Sequence, residues 1–84
     1  MKYCLITFRS VTPAQKGEML LHHSGISCNL QRTPRSMAQR GCGYCLQVRY
    51  SDAPRCVELF REHNVAFQKV YLQMNASSAE ELEL

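Results

Sequence analysis

No apolar run in this chain of 84 residues comes near the ~18 needed to span a bilayer, so no membrane partner is expected. The opening Lys2-Tyr3-Cys4-Leu5-Ile6-Thr7-Phe8 is basic and then apolar. Arg9 cuts it short and no small-residue cleavage site follows, so it does not read as a signal peptide and the cytoplasm is the expected compartment. There is no Gly-x-Gly-x-x-Gly, no Walker loop and no pair of carboxylates in a catalytic pattern, which removes the common dinucleotide, nucleotide and hydrolytic signatures. No cofactor is implied. The RNP1 pattern is also missing, since Arg49-Tyr50-Ser51 does not match it, and this argues against an RNA-binding sheet. Five cysteines form an odd set, which argues against a disulfide framework and for free thiols in a reducing compartment.

What is present suits one small soluble domain. Apolar residues make up 45% and charged residues 20%. A chain this short buries a thin core, so a shallow surface site or one at a subunit interface is expected rather than an enclosed cavity. The net charge of +3 hides an asymmetry: residues 1–74 carry ten Lys/Arg against four Asp/Glu, while Glu80, Glu81 and Glu83 lie in the tail. A basic body favours an anionic partner, although solubility alone would also account for it.

The pattern predicts six elements. Tyr3–Phe8 is apolar on both alternating sets and reads as a central strand covered on both faces. Thr12, Pro13 and Gln15 give a capping-box start to a helix with Ala14, Gly17, Leu20 and Leu21 inward, closed by Gly25 in the left-handed conformation. Ile26–Leu30 is a second strand with Ile26, Cys28 and Leu30 inward. Residues 31–43 read as a long loop with a helical turn near Ser36–Gln39, and such a loop in a small domain usually has a function. Cys45–Tyr50 is a third strand with Leu46, Val48 and Tyr50 inward. A second helix begins at Ser51-Asp52-Ala53-Pro54, carries Ala53, Cys56, Val57, Leu59 and Phe60, and ends at Asn64. Val65–Leu72 is the last strand. The expectation is an α+β domain over residues 1–74 of ferredoxin-like β-α-β-β-α-β order, with two helices on one face of a four-stranded antiparallel sheet. Residues 75–84 read as a disordered acidic tail.

The chemistry points to Gly41-Cys42-Gly43-Tyr44-Cys45. Two thiols two residues apart can close a small disulfide, supply half of a metal site, or act as attacker and resolver in sulfur exchange. Gly41 and Gly43 can take positive φ and turn their amides inward as an anion nest, which stabilises a thiolate. Arg32, Arg35 and Arg40 lie in the same loop, and a nearby cation lowers a thiol pKa. Cys42 is expected to be exposed, and Cys45 to sit at a strand start, opposite the Leu46/Val48 face and less accessible. A thioredoxin-like scaffold does not fit, because there the pair opens a helix, whereas here it runs into a strand.

Zinc within one chain is not expected. It takes four ligands, and besides Cys42 and Cys45 the donors are Cys28 inside a strand, Cys56 on a helix, and the neighbours His22 and His23. Adjacent helical side chains diverge by about 100°, so the two histidines suit the negative helix end better than a shared metal. A zinc shared across a homodimer stays open. Cys4, Cys28 and Cys56 read as small core residues.

Met1-Lys2-Tyr3 with Leu5-Ile6-Thr7-Phe8, the Thr33-Pro34-Arg35 step, and Cys42-Gly43 followed by a strand together resemble the bacterial family described as Putative Se/S carrier protein-like, over about residues 2–72. The resemblance implies a cysteine that carries sulfur or selenium as a persulfide or selenide adduct. It matches Cys42 to the family's Cys-Gly and Arg35 to its Pro-Arg step, while Cys45 is an addition that raises the prospect of internal disulfide chemistry. The expected role is therefore a carrier or accessory protein rather than a stand-alone enzyme. Its expected partners are a cysteine desulfurase-like sulfur or selenium donor and an acceptor protein. The alternative is a module that binds a small anion or a protein and whose cysteines sense oxidation.

Overall fold

The computed structural model describes residues 2–33, 43–75 and 78–82. Strand β1 (Tyr3–Phe8) leads to helix α1 (Val11–His23), then to strands β2 (Cys28–Arg32) and β3 (Tyr44–Arg49). A 3-10 turn at Tyr50–Asp52 runs into helix α2 (Ala53–Glu62), followed by strands β4 (Val70–Asn75) and β5 (Ser78–Leu82). The sheet is antiparallel throughout, in the order β2-β3-β1-β4-β5.

β1 is central, as its composition requires. Cys4 to Phe8 are all buried, with Cys4, Ile6 and Phe8 turned to the helices and Leu5 and Thr7 to the other face. α1 buries Ala14, Gly17 and Leu21, and α2 buries Ala53, Cys56, Val57, Leu59 and Phe60. These meet Leu46 and Val48 of β3 in one core. Phe60 is its centre. Its ring packs edge-on to Phe8 at 5.8 Å between centroids and tilted against Phe67 at 5.8 Å, geometries that suit aromatic quadrupoles.

Both helices end alike. Gly25 takes φ +77° and Asn64 φ +57°. Beyond them Ile26 N donates to Leu21 O at 2.8 Å, and Val65 N to Phe60 O at 2.9 Å. This is the bond of a Schellman closure, which needs a left-handed residue one step past the cap.

Several expectations are corrected. The sheet has five strands rather than four. Residues 78–82, read as part of a structureless tail, form β5 along β4, with Tyr71 opposite Glu81 and Val70 opposite Leu82. The glutamates suggested a solvated tail, yet Leu82 packs against the core and Glu81 accepts a bond from Lys69 Nζ at 3.1 Å. The capping box is absent: α1 starts one residue before Thr12, with Ser10 as N-cap and no side-chain cap bond. Pro13 fits inside the first turn, where its missing N–H would have had no helical partner. The last strand starts at Val70 rather than Val65. Before it, the chain bonds across to Thr7 through Gln68 N and Lys69 O, both at 2.8 Å. Tyr50 is 48% exposed, because β3 has already given way to the 3-10 turn. The helical turn expected near Ser36–Gln39 lies outside the described residues.

A Cβ on Gly17 would lie 3.1 Å from the Phe60 ring and 3.2 Å from Leu46 Cδ1. Gly17→Val is therefore expected to cost about 1–3 kcal/mol by overpacking, read as a lower urea midpoint at unchanged slope. An unchanged midpoint would show that α1 does not seat on Phe60 through this glycine.

Candidate functional site

The site predicted from sequence is divided. Cys42, Gly41, Arg40 and Arg35 lie outside the described residues, while Arg32, Gly43 and Cys45 are described. Thr33 N donates to Gly43 O at 3.0 Å, so the β2–β3 ladder continues one pair beyond Arg32↔Tyr44. This fixes both ends of the 34–42 segment.

The small size of Gly43 serves close approach: an added Cβ would lie 3.2 Å from Thr33 Oγ1 and 3.4 Å from Phe8 O. Arg32 differs from expectation. Its guanidinium lies over the Tyr44 ring, 6.0 Å from the centroid, and this stacking holds it on the helix-side face. Cys45 is on the other face, so Arg32 offers it only its backbone carbonyl, to which the thiol makes a long contact of 4.0 Å.

Cys45 opposes Thr7 on β1 and Gln31 on β2. These positions and Thr33, two residues past Gln31, share the face that carries no helix. Even so, Cys45 is 0% exposed. The Thr7 hydroxyl is committed to Lys69, accepting from its N–H at 3.1 Å. The Thr33 hydroxyl is buried and has no hydrogen-bond partner among the described residues. Burial pushes the Cys45 thiol above its ordinary value, while the side chains of Gln31 and Thr33 pull it back. The sequence marks Thr7 and Thr33 only within motifs of the family resemblance and does not mark Gln31; period-2 alternation of the two strands would place Gln31 beside Cys45, but the pairing register that brings Thr7 and Thr33 there is not local information.

The other described thiols are raised as well. Burial raises Cys4. Burial, and then Glu18, raises Cys28 to about 11. Burial, then Asp52, Cys28 and Cys4, raises Cys56 to about 12. Cys4 and Cys56 are fully buried in the core and Cys28 packs against it, as small apolar residues do. His22 and His23 end α1 and are exposed, where a basic group meets the negative helix end. Among the described residues no group of three or more His, Cys, Asp or Glu is placed to hold a metal ion. No described helix is long and apolar enough to cross a membrane.

The sequence pattern of the family described as Putative Se/S carrier protein-like matches residues 3–72, which takes in every described residue of the site and the 34–42 segment. The chain belongs to this family. No curated protein and no solved structure matches it.

The raised thiols fix how stability responds to alkali. Above about pH 8.5 the unfolded chain loses thiol protons that the fold retains, so it binds fewer protons and stability falls with rising pH. The contribution is complete below that pH and is lost as pH climbs toward about 11 for Cys28 and about 12 for Cys56. The melting temperature is expected to drop between about pH 8.5 and 10.5, by up to ~1.4 kcal/mol of stability per pH unit for each such thiol. Cys56→Ala should shallow that slope, whatever it does to the midpoint at pH 7. Parallel slopes would mean that the Cys56 proton is not held by the fold.

Proposed function

We propose that the chain carries sulfur or selenium on Cys42, in the cytoplasm, on a scaffold whose first four strands form a ferredoxin-like sheet extended by β5. The observation that carries this reading is the state of the other thiols. All four have their pKa values raised by burial, and a nucleophilic cysteine must be reachable as a thiolate. Cys42 is the remaining thiol, and it sits between two glycines in a segment with Arg35 and Arg40. Membership of the family supports the same chemistry.

In this reading the Cys42 thiolate attacks the terminal sulfur of a persulfide on the donor protein. The donor's S–S bond breaks, the donor leaves as a thiolate, and Cys42 holds the sulfur as its own persulfide. Selenium would be held in the same way. Arg35 and Arg40 stabilise the anionic adduct until an acceptor nucleophile takes the terminal atom. Cys45 provides a second exit: its thiolate attacks Cys42 Sγ, hydrosulfide leaves, and a Cys42–Cys45 disulfide forms, which a thiol reductant must then reopen. The full burial of Cys45 makes this exit conditional on movement of the β3 entrance.

That burial also favours a second reading, in which the thiols are passive and the basic body binds a small anion or a protein. Cys42→Ser separates the two. Incubation with a cysteine desulfurase and cysteine is expected to add one sulfur to the intact mass of the native chain and none to Cys42→Ser. Absence of any adduct on the native chain, under conditions that load an established carrier, would sink the carrier reading.

A further inference from the structure

Thr33 lies where β2 leaves the sheet. Its N–H is used by Gly43 O, while its hydroxyl is buried with no partner among the described residues. A buried hydroxyl left unpaired is costly, so its position needs a reason. Packing alone would be met by valine, which has nearly the same shape and no polar atom. Gly43 leaves room for the hydroxyl, since a Cβ there would come within 3.2 Å of Oγ1. The register supplies its neighbour. Thr33 pairs with Gly43 and Gln31 with Cys45, which makes Thr33 and Cys45 diagonal neighbours on one sheet face, and the Thr33 side chain acts on the Cys45 thiol.

We infer that the Thr33 hydroxyl is the hydrogen-bond donor held in reserve for the Cys45 sulfur when that sulfur is anionic, which makes Thr33 a positioning residue for the second thiol. In the protonated state the S–H faces the Arg32 carbonyl at 4.0 Å and the hydroxyl waits unpaired. When the proton leaves to solvent, the sulfur becomes an acceptor only, and rotation about one bond brings the Thr33 O–H onto it. A hydrogen bond to a charged acceptor is about twice as strong as a neutral one. The unpaired hydroxyl is thus a cost borne by the resting state and recovered in the reactive one.

Apart from the Gln31 amide, the neighbouring groups do not supply this donor. On the same face, Thr7 is committed to Lys69. Lys69 is in turn paired with Glu81 at 3.1 Å. Arg49 is four residues along β3 at the far end of the strand and exposed. Arg32 is stacked on Tyr44 on the opposite face. Gln31 faces Cys45 and assists the anion through its amide. The value of this device to carrier chemistry rests on the reading above, in which Cys45 releases sulfur by attack on Cys42. The protonation of Cys45 itself requires no donor protein.

The test is a pH titration of the Cys45 13Cβ resonance in the full, reduced chain, assigned by its loss in Cys45→Ser. Thr33→Val is expected to move the midpoint upward by about one pH unit, the scale of one hydrogen bond to a charge. Thr33→Ser should restore it, because serine keeps the donor. If Thr33→Val does not give a folded amide spectrum, Thr33→Ala takes its place with the same expectation. A midpoint in the valine or alanine variant that matches the native one would overturn the inference, as would a serine variant that titrates like valine. The desulfurase loading of Cys42 is read separately, so failure of either result leaves the other standing.

Discussion

β3 pairs with β1 so that Cys45 stands opposite Thr7 and Leu46 opposite Ile6. Side chains alternate along a strand, so a slip of one residue would turn Cys45 into the helix-side core and push Leu46 and Val48 out of it. β1 forbids that slip because it is buried on both faces. The same register brings Gly43 against Phe8 O and Thr33, and it fixes where the 34–42 segment leaves β2 and re-enters β3. The site depends on this pairing more than on any polar contact within it.

From that constraint follows the division of the thiols. Three lie on the helix side, where burial keeps them protonated and their role is volume. Cys45 occupies the other face, equally buried but among polar side chains that favour its anion. It is inert as it stands, with the parts needed for reactivity beside it. A carrier gains from this arrangement, because an always-active second thiol would discharge the adduct before an acceptor arrived. Under the proposed reading, Cys42 is the loading position, because the other four thiols are held protonated by burial.

Sequence reasoning succeeded where the signal was local. The all-apolar alternation of Tyr3–Phe8, the inward faces of both helices, and the left-handed Gly25 and Asn64 follow from periodicity and from the backbone freedom of particular residues. It failed where a distant partner decided the outcome. Residues 78–82 read as a structureless tail until β4 offers Leu82 a ladder and the core a surface. Thr12 fits a capping box, but α1 starts one residue before it, with Ser10 as N-cap. Arg32 is basic and near the cysteines in sequence, yet strand alternation sends its side chain to Tyr44. Thr33 entered only through the Thr33-Pro34-Arg35 step of the family resemblance, and its place beside Cys45 lies in the register.

The central claim is the asymmetry of the two thiols, and alkylation of the native chain tests it directly. Cleavage after Arg40 and Arg49 places both cysteines in one peptide, Gly41 to Arg49, and fragmentation distinguishes them. A brief exposure to iodoacetamide near neutral pH, then unfolding and a second, isotopically heavy reagent, records which thiol reacted first. The account predicts the light label on Cys42 and the heavy label on Cys45. Light label on Cys45 to the same extent as on Cys42 would contradict it.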